Sequence, residues 1–148
     1  MPRINVLKQH KLLLDTHVWI WMAMGDPVVT LAMRQAIERA KECDHLLISP
    51  ISIWEISMLA ERKRITLEMD VTDWIKQWVD LPGISLATFS LQVAILSNRL
   101  PGTIHGDPAG RILIASAYEY GAVLVSADEK ILRFGEGAFI SVCDPTAK

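Results

Sequence analysis

Apolar residues fall into two patterns along this chain. Short unbroken runs, Lys11 to Leu14, Leu46 to Ile48 and Ala122 to Val125, are bounded by polar or turn residues and read as buried strands. Ile84 to Ala87 and Phe139 to Val142 are weaker runs of the same kind. Between them, longer segments space apolar residues three and four apart. Val71, Trp74, Ile75 and Trp78 give the clearest case, with the period of an amphipathic helix over Asp70 to Val79. Further helices are expected over His17 to Met24, Thr30 to Ala40, Ile51 to Ala60, Phe89 to Leu96 and Pro108 to Tyr120, with a helical turn at Glu129 to Leu132. Gly121 is placed to cap the helix before it. Residues 1–10 read as an entry segment carrying Lys8 and His10, and 101–106 as a loop rich in turn residues. Strands alternating with helices predict an α/β domain with a parallel sheet covered on both faces.

Composition adds bounds. The 148 residues suit one domain spanning 1–148, and 51% hydrophobic content argues against disorder. A net charge of -2 supplies no broad basic field, so a nucleic-acid partner would need local basic patches or a metal. Cys43 and Cys143 lack a ligand-like spacing and fit a reduced compartment. The Leu12 to Met24 run is broken by Asp15 and His17 and is too short for a bilayer. A soluble, cytoplasmic protein is the expectation, with no membrane partner.

The chemistry lies where elements meet. Asp15 ends the first strand, Glu55 lies in the helix after the second, Asp107 opens the helix after the long loop, and Asp128 follows the fourth strand. In parallel sheets the crevice outside the strand ends is where ligands bind. Carboxylates gathered there repel unless a cation, usually a divalent metal, lies between them. Each acid also has a structural reading. Asp15, Asp107 and Asp128 are placed to cap helices, and Asp128 to pair with Lys130. Ser52 to Glu55 matches a capping box. His17 and His105 lack a ligand-pair spacing and read as surface or hydrogen-bonding residues. The five tryptophans read as core or interface residues. No Gly-rich turn follows the first strand, which argues against a dinucleotide fold. No lysine follows a later strand together with paired N-terminal acids, which argues against a phosphoacceptor receiver.

The segments Leu13-Leu14-Asp15-Thr16-His17-Val18-Trp19, Ile51-Ser52-Ile53-Trp54-Glu55-Ile56, His105-Gly106-Asp107-Pro108, Arg111 to Ala117 and Leu124-Val125-Ser126-Ala127-Asp128 stand in an order and spacing that resemble PIN-domain proteins, in particular VapC-type toxins of bacterial toxin–antitoxin pairs. The resemblance implies a three-layer α/β/α domain with a parallel sheet of about five strands. It implies a Mg²⁺- or Mn²⁺-dependent endoribonuclease acting as a toxin on RNA, with a cognate antitoxin and a homodimer as partners. Asp15, Glu55 and Asp128 would be the catalytic and metal-binding acids, with Thr16 and Ser126 as supporting hydroxyls. Arg111, Lys63 and Arg64 would contact RNA phosphates. One departure stands out. The family usually reads Asp-Pro-x-Asp-Arg where this chain has Asp107-Pro108-Ala109-Gly110-Arg111, so Gly110 replaces the usual third acid. Asp107 is then the remaining acid that could reach the metal, directly or through water. The alternative is a catalytically impaired PIN domain that acts by binding an antitoxin or RNA.

Overall fold

The computed structural model describes residues 10–102, 104 and 106–148. The expectations for Lys8 and His105 therefore lie outside the described residues. The element order is β1 (Lys11–Leu14), α1 (Thr16–Met24), α2 (Leu31–Glu42), β2 (Leu46–Ile48), α3 (Pro50–Glu61), α4 (Val71–Val79), β3 (Ile84–Leu86), α5 (Leu91–Leu96), α6 (Pro108–Tyr120), β4 (Ala122–Val125), α7 (Glu129–Gly135) and β5 (Val142–Cys143). The five strands form one sheet in the order β3-β2-β1-β4-β5, and each neighbouring pair is parallel. The fold is thus a three-layer α/β domain with a five-stranded parallel sheet, as the hydrophobic pattern and the resemblance both imply. The last strand begins three residues later than the apolar run suggested, at Val142, because the bend that starts at Ala138 continues through Ile140.

β1 occupies the centre because both its faces are apolar. Leu12 and Leu14 point to one core, shared with Trp19 of α1, Met33 and Ile37 of α2, Ile56 of α3 and Trp74 of α4. Leu13 points to the other, with Leu113 and Ile114 of α6 and Ile131 of α7. All three leucines are fully buried, and each contributes about 1.5–3 kcal/mol. That margin lets the strand carry a carboxylate at its end. Trp19 packs against Trp74 and Trp78 at 5.4 and 6.3 Å between ring centroids. Trp54, by contrast, is exposed. Gly121 does end α6 in the left-handed region and caps it.

Chain order runs from β1 outward to β2 and β3, then returns to β4 and β5 on the other side. The reversal leaves a crevice between the C-terminal ends of β1 and β4, where parallel sheets place their ligands. Among the described residues, no helix is long and apolar enough to cross a membrane.

The turn into β3 depends on one glycine. Gly83 has φ +90°, and a Cβ there would sit 1.8 Å from the Lys41 carbonyl oxygen at the end of α2. Gly83→Ala is expected to destabilise the protein by about 2–4 kcal/mol, read as a lower urea midpoint at unchanged slope.

Candidate functional site

Asp15 is 6% exposed. Its Oδ1 accepts from the Thr16 amide at 2.7 Å, which caps α1. Its Oδ2 accepts from the Ser126 hydroxyl at 2.6 Å, so β1 and β4 are tied together at their ends. Ser126 Oγ in turn accepts from the Asp128 amide at 3.0 Å. His17 completes the join. The Ala127 amide donates to its Nε2 at 3.1 Å, and its Nδ1 stands 3.6 Å from Asp15 Oδ2. The hydrogen-bonding reading of His17 therefore fits. Its contribution to this join had no local signal, because Ala127 is distant in sequence.

Glu55 reaches the same place from α3. The Thr16 hydroxyl donates to Glu55 Oε1 at 2.6 Å and shares a 2.9 Å hydrogen bond with Ser52 Oγ. The capping box expected from Ser52 and Glu55 does not form. Ser49 caps α3, with Pro50 in its first turn, so Ser52 lies inside the helix and Glu55 is free to turn toward Thr16. Burial pushes the Glu55 carboxyl above its ordinary value. The Thr16 hydrogen bond opposes this, Asp107 and Asp15 reinforce it through charge, and His17 opposes it.

Asp107 and Asp128 are exposed and cap helices, as their positions suggested. Asp107 Oδ1 accepts from the Ala109 amide at 3.0 Å. Asp128 Oδ1 accepts from the Lys130 and Ile131 amides at 2.8 and 3.1 Å. The pairing of Asp128 with the Lys130 side chain is not made: among the described residues the ammonium has no carboxylate within ion-pair distance.

Asp15, Thr16, His17, Glu55, Asp107, Gly110, Asp128 and Lys130 all line one cavity of about 200 Å³ at the β1–β4 crevice. The structure thus brings the four acids to one place. Ser126 lies just beneath, fully buried. Arg111, half-buried on α6, does not line this cavity. Lys63 and Arg64 follow the C-terminal end of α3, opposite its Ser49 cap, and Lys63 borders a different depression.

Residues 12–137 match the family model of the PIN domain. The chain belongs to the PIN-domain family. It is 35% identical over 119 residues to ribonuclease VapC22 of Mycobacterium tuberculosis, covering 80% of this chain and 88% of that protein. The fold resembles the crystal structure of DNA-bound VapBC from Salmonella typhimurium, with a TM-score of 0.64, 18% identity and coverage of 93% and 99% of the two chains. It also resembles FitAcB from Neisseria gonorrhoeae, with a TM-score of 0.61, 15% identity and coverage of 90% and 97%. The homology is therefore to VapC-type toxin–antitoxin ribonucleases.

Such relatives raise the question of a metal. Among the described residues, no three His, Cys, Asp or Glu side chains gather closely enough to hold an ion. Three of the four acids spend one oxygen on a helix cap, and Gly110 adds no donor. The donor set as arranged does not fit a dedicated metal cage. The gap at Gly110 is not steric: a Cβ there would meet only Ile131 Cδ1, at 3.9 Å.

Two stability changes follow. Gly110→Ala should raise stability by about 1 kcal/mol through helix propensity, read by urea unfolding. Glu55→Gln keeps the acceptor for Thr16 and removes the charge. A carboxyl whose pKa is raised on folding contributes stability below its ordinary pKa and loses it as pH rises through the raised one. In EDTA, Glu55→Gln should therefore melt higher than the parent at neutral pH, and the gain should vanish at pH values below the ordinary Glu range.

Proposed function

We propose that this chain is a toxin-type PIN domain that acts by binding RNA and an antitoxin, with an acidic site impaired for nuclease chemistry. The observation that carries this reading is Gly110. It lines the acidic cavity, has room for a side chain and presents none. Among the described residues, no three of the remaining acids gather closely enough to hold an ion. The pairs VapBC and FitAB named for the similar structures support an antitoxin as the protein partner. RNA as ligand agrees with the name of the ribonuclease relative. A homodimer belongs to the same proposal; the buried Trp19 and Trp74 are unavailable for its interface, whereas Trp54 is accessible.

The second reading is a Mg²⁺- or Mn²⁺-dependent endoribonuclease. It is favoured by the convergence of Asp15, Glu55, Asp107 and Asp128 on one cavity. Cleavage of RNA in Mg²⁺, Mn²⁺ and EDTA separates the two. The chain as it stands should not cut. Gly110→Asp should gain metal-dependent cutting by at least about tenfold, as expected for a group that acts directly in catalysis, and Asp15→Ala in that background should abolish it. Cleavage by the unaltered chain that EDTA stops would overturn the impaired reading in favour of the nuclease.

A further inference from the structure

A second cavity, of about 500 Å³, adjoins the acidic one; the two share Ile104 and Lys130. Its character is opposite. Phe134 and Phe139 form an aromatic wall, and Lys130 and Arg133 stand on its rim. Phe139 is stacked on Tyr118, with centroids 4.4 Å apart and planes 3° from parallel. Phe134 meets Phe139 edge-on at 6.2 Å. The wall is therefore braced from behind. Lys130 and Arg133 lie three residues apart on α7, which puts them on one side of the helix. Both are exposed, and among the described residues neither is within ion-pair distance of a carboxylate.

We propose that this cavity is a nucleotide subsite that takes one unstacked base of single-stranded RNA, with Lys130 and Arg133 on the flanking phosphates. The inference rests on the RNA-binding reading above and gives it a location. An aromatic wall with a cationic rim complements a ligand that is itself aromatic and anionic. An aromatic side chain of a protein partner would satisfy the wall and leave both cations unmatched; an acidic side chain would do the reverse. The volume suits a single nucleotide. Charge supplies the remaining reason. A chain of net charge -2 with four acids around its main crevice repels RNA unless cations are placed beside that crevice. Lys130 stands on the lip shared by both cavities, so a base held against Phe139 would bring its neighbouring phosphate to the edge of the acidic site.

The test uses the full chain, isotopically labelled, titrated with short single-stranded oligo-A, oligo-U and oligo-C. Amide shifts should move at Phe134, Gly137 and Phe139. Arg133→Gln and Lys130→Gln should each weaken binding roughly tenfold at low salt and each lower the salt slope by about one. Phe139→Leu should weaken binding roughly tenfold with the salt slope unchanged, since it removes stacking and no charge. The two exposed cation variants keep the test valid if Phe139→Leu fails to fold. Oligonucleotides that bind without moving those amides, and with full affinity for Arg133→Gln, would overturn the subsite and leave the RNA reading standing. No binding of any oligonucleotide would overturn both. A peptide carrying Trp and Glu that moves those amides where RNA does not would assign the cavity to a protein partner and overturn the proposal.

Discussion

Asp15 is held at the end of the central strand by two hydrogen bonds, from the Thr16 amide within its own segment and from the Ser126 hydroxyl at the end of β4. A carboxylate this deeply buried is costly unless its oxygens are satisfied. The ends of β1 and β4 must therefore meet in register for the charge to be tolerated. That constraint fixes the rest of the crevice. The turn that follows directs the Asp128 amide back to Ser126 Oγ and presents the Ala127 amide to His17. Thr16, next to Asp15, then carries the connection to Glu55 on α3. One buried acid thus aligns four segments.

Helix geometry explains how so many acids share one cavity. α1, α6 and α7 all begin at the crevice, and each is capped by one of the acids. The N-terminal end of a helix carries partial positive charge and unpaired amides. Each of these three carboxylates is thereby partly neutralised by its own helix. The cost appears in ligand geometry. Carboxylate oxygens committed to amides are less free to converge on one point. A fifth acid on the cavity-facing turn of α6, where Gly110 stands, would have no capping duty. Of the acids present, only Glu55 is likewise free of a helix cap, and it is engaged by the Thr16 hydroxyl.

The acidic cavity and the aromatic, cation-rimmed cavity beside it divide the work a polyanion would require. The first disfavours RNA in the absence of a counter-charge, and the second offers a base platform and local positive charge at its border. Lys130 belongs to both: its backbone amide bonds to Asp128, and among the described residues its ammonium has no carboxylate within ion-pair distance. The same short helix therefore carries an acid of one site and the cations of the other.

The parallel sheet was legible because β1, β2 and β4 are continuous apolar runs, and only a strand buried on both faces needs such a run. The caps at Asp107 and Asp128 were legible for a related reason: Asp before Pro, or Asp before a helical turn, acts through neighbouring amides. Gly110 was legible as a missing acid by comparison of short motifs. Glu55 was not. Its local pattern pointed to a capping box, but Ser49 takes the cap and the Thr16 hydroxyl, from a distant helix, takes the carboxylate. Nor was the Lys130, Arg133 and Phe139 cluster, since α7 and the segment before β5 meet only after the sheet has formed. Sequence by itself determined the elements, the family and the inventory of acids, because these depend on interactions between near neighbours. Tertiary structure alone decided which oxygens are already bonded, which acids share one cavity and which cations border it, because those depend on segments that only the sheet brings together.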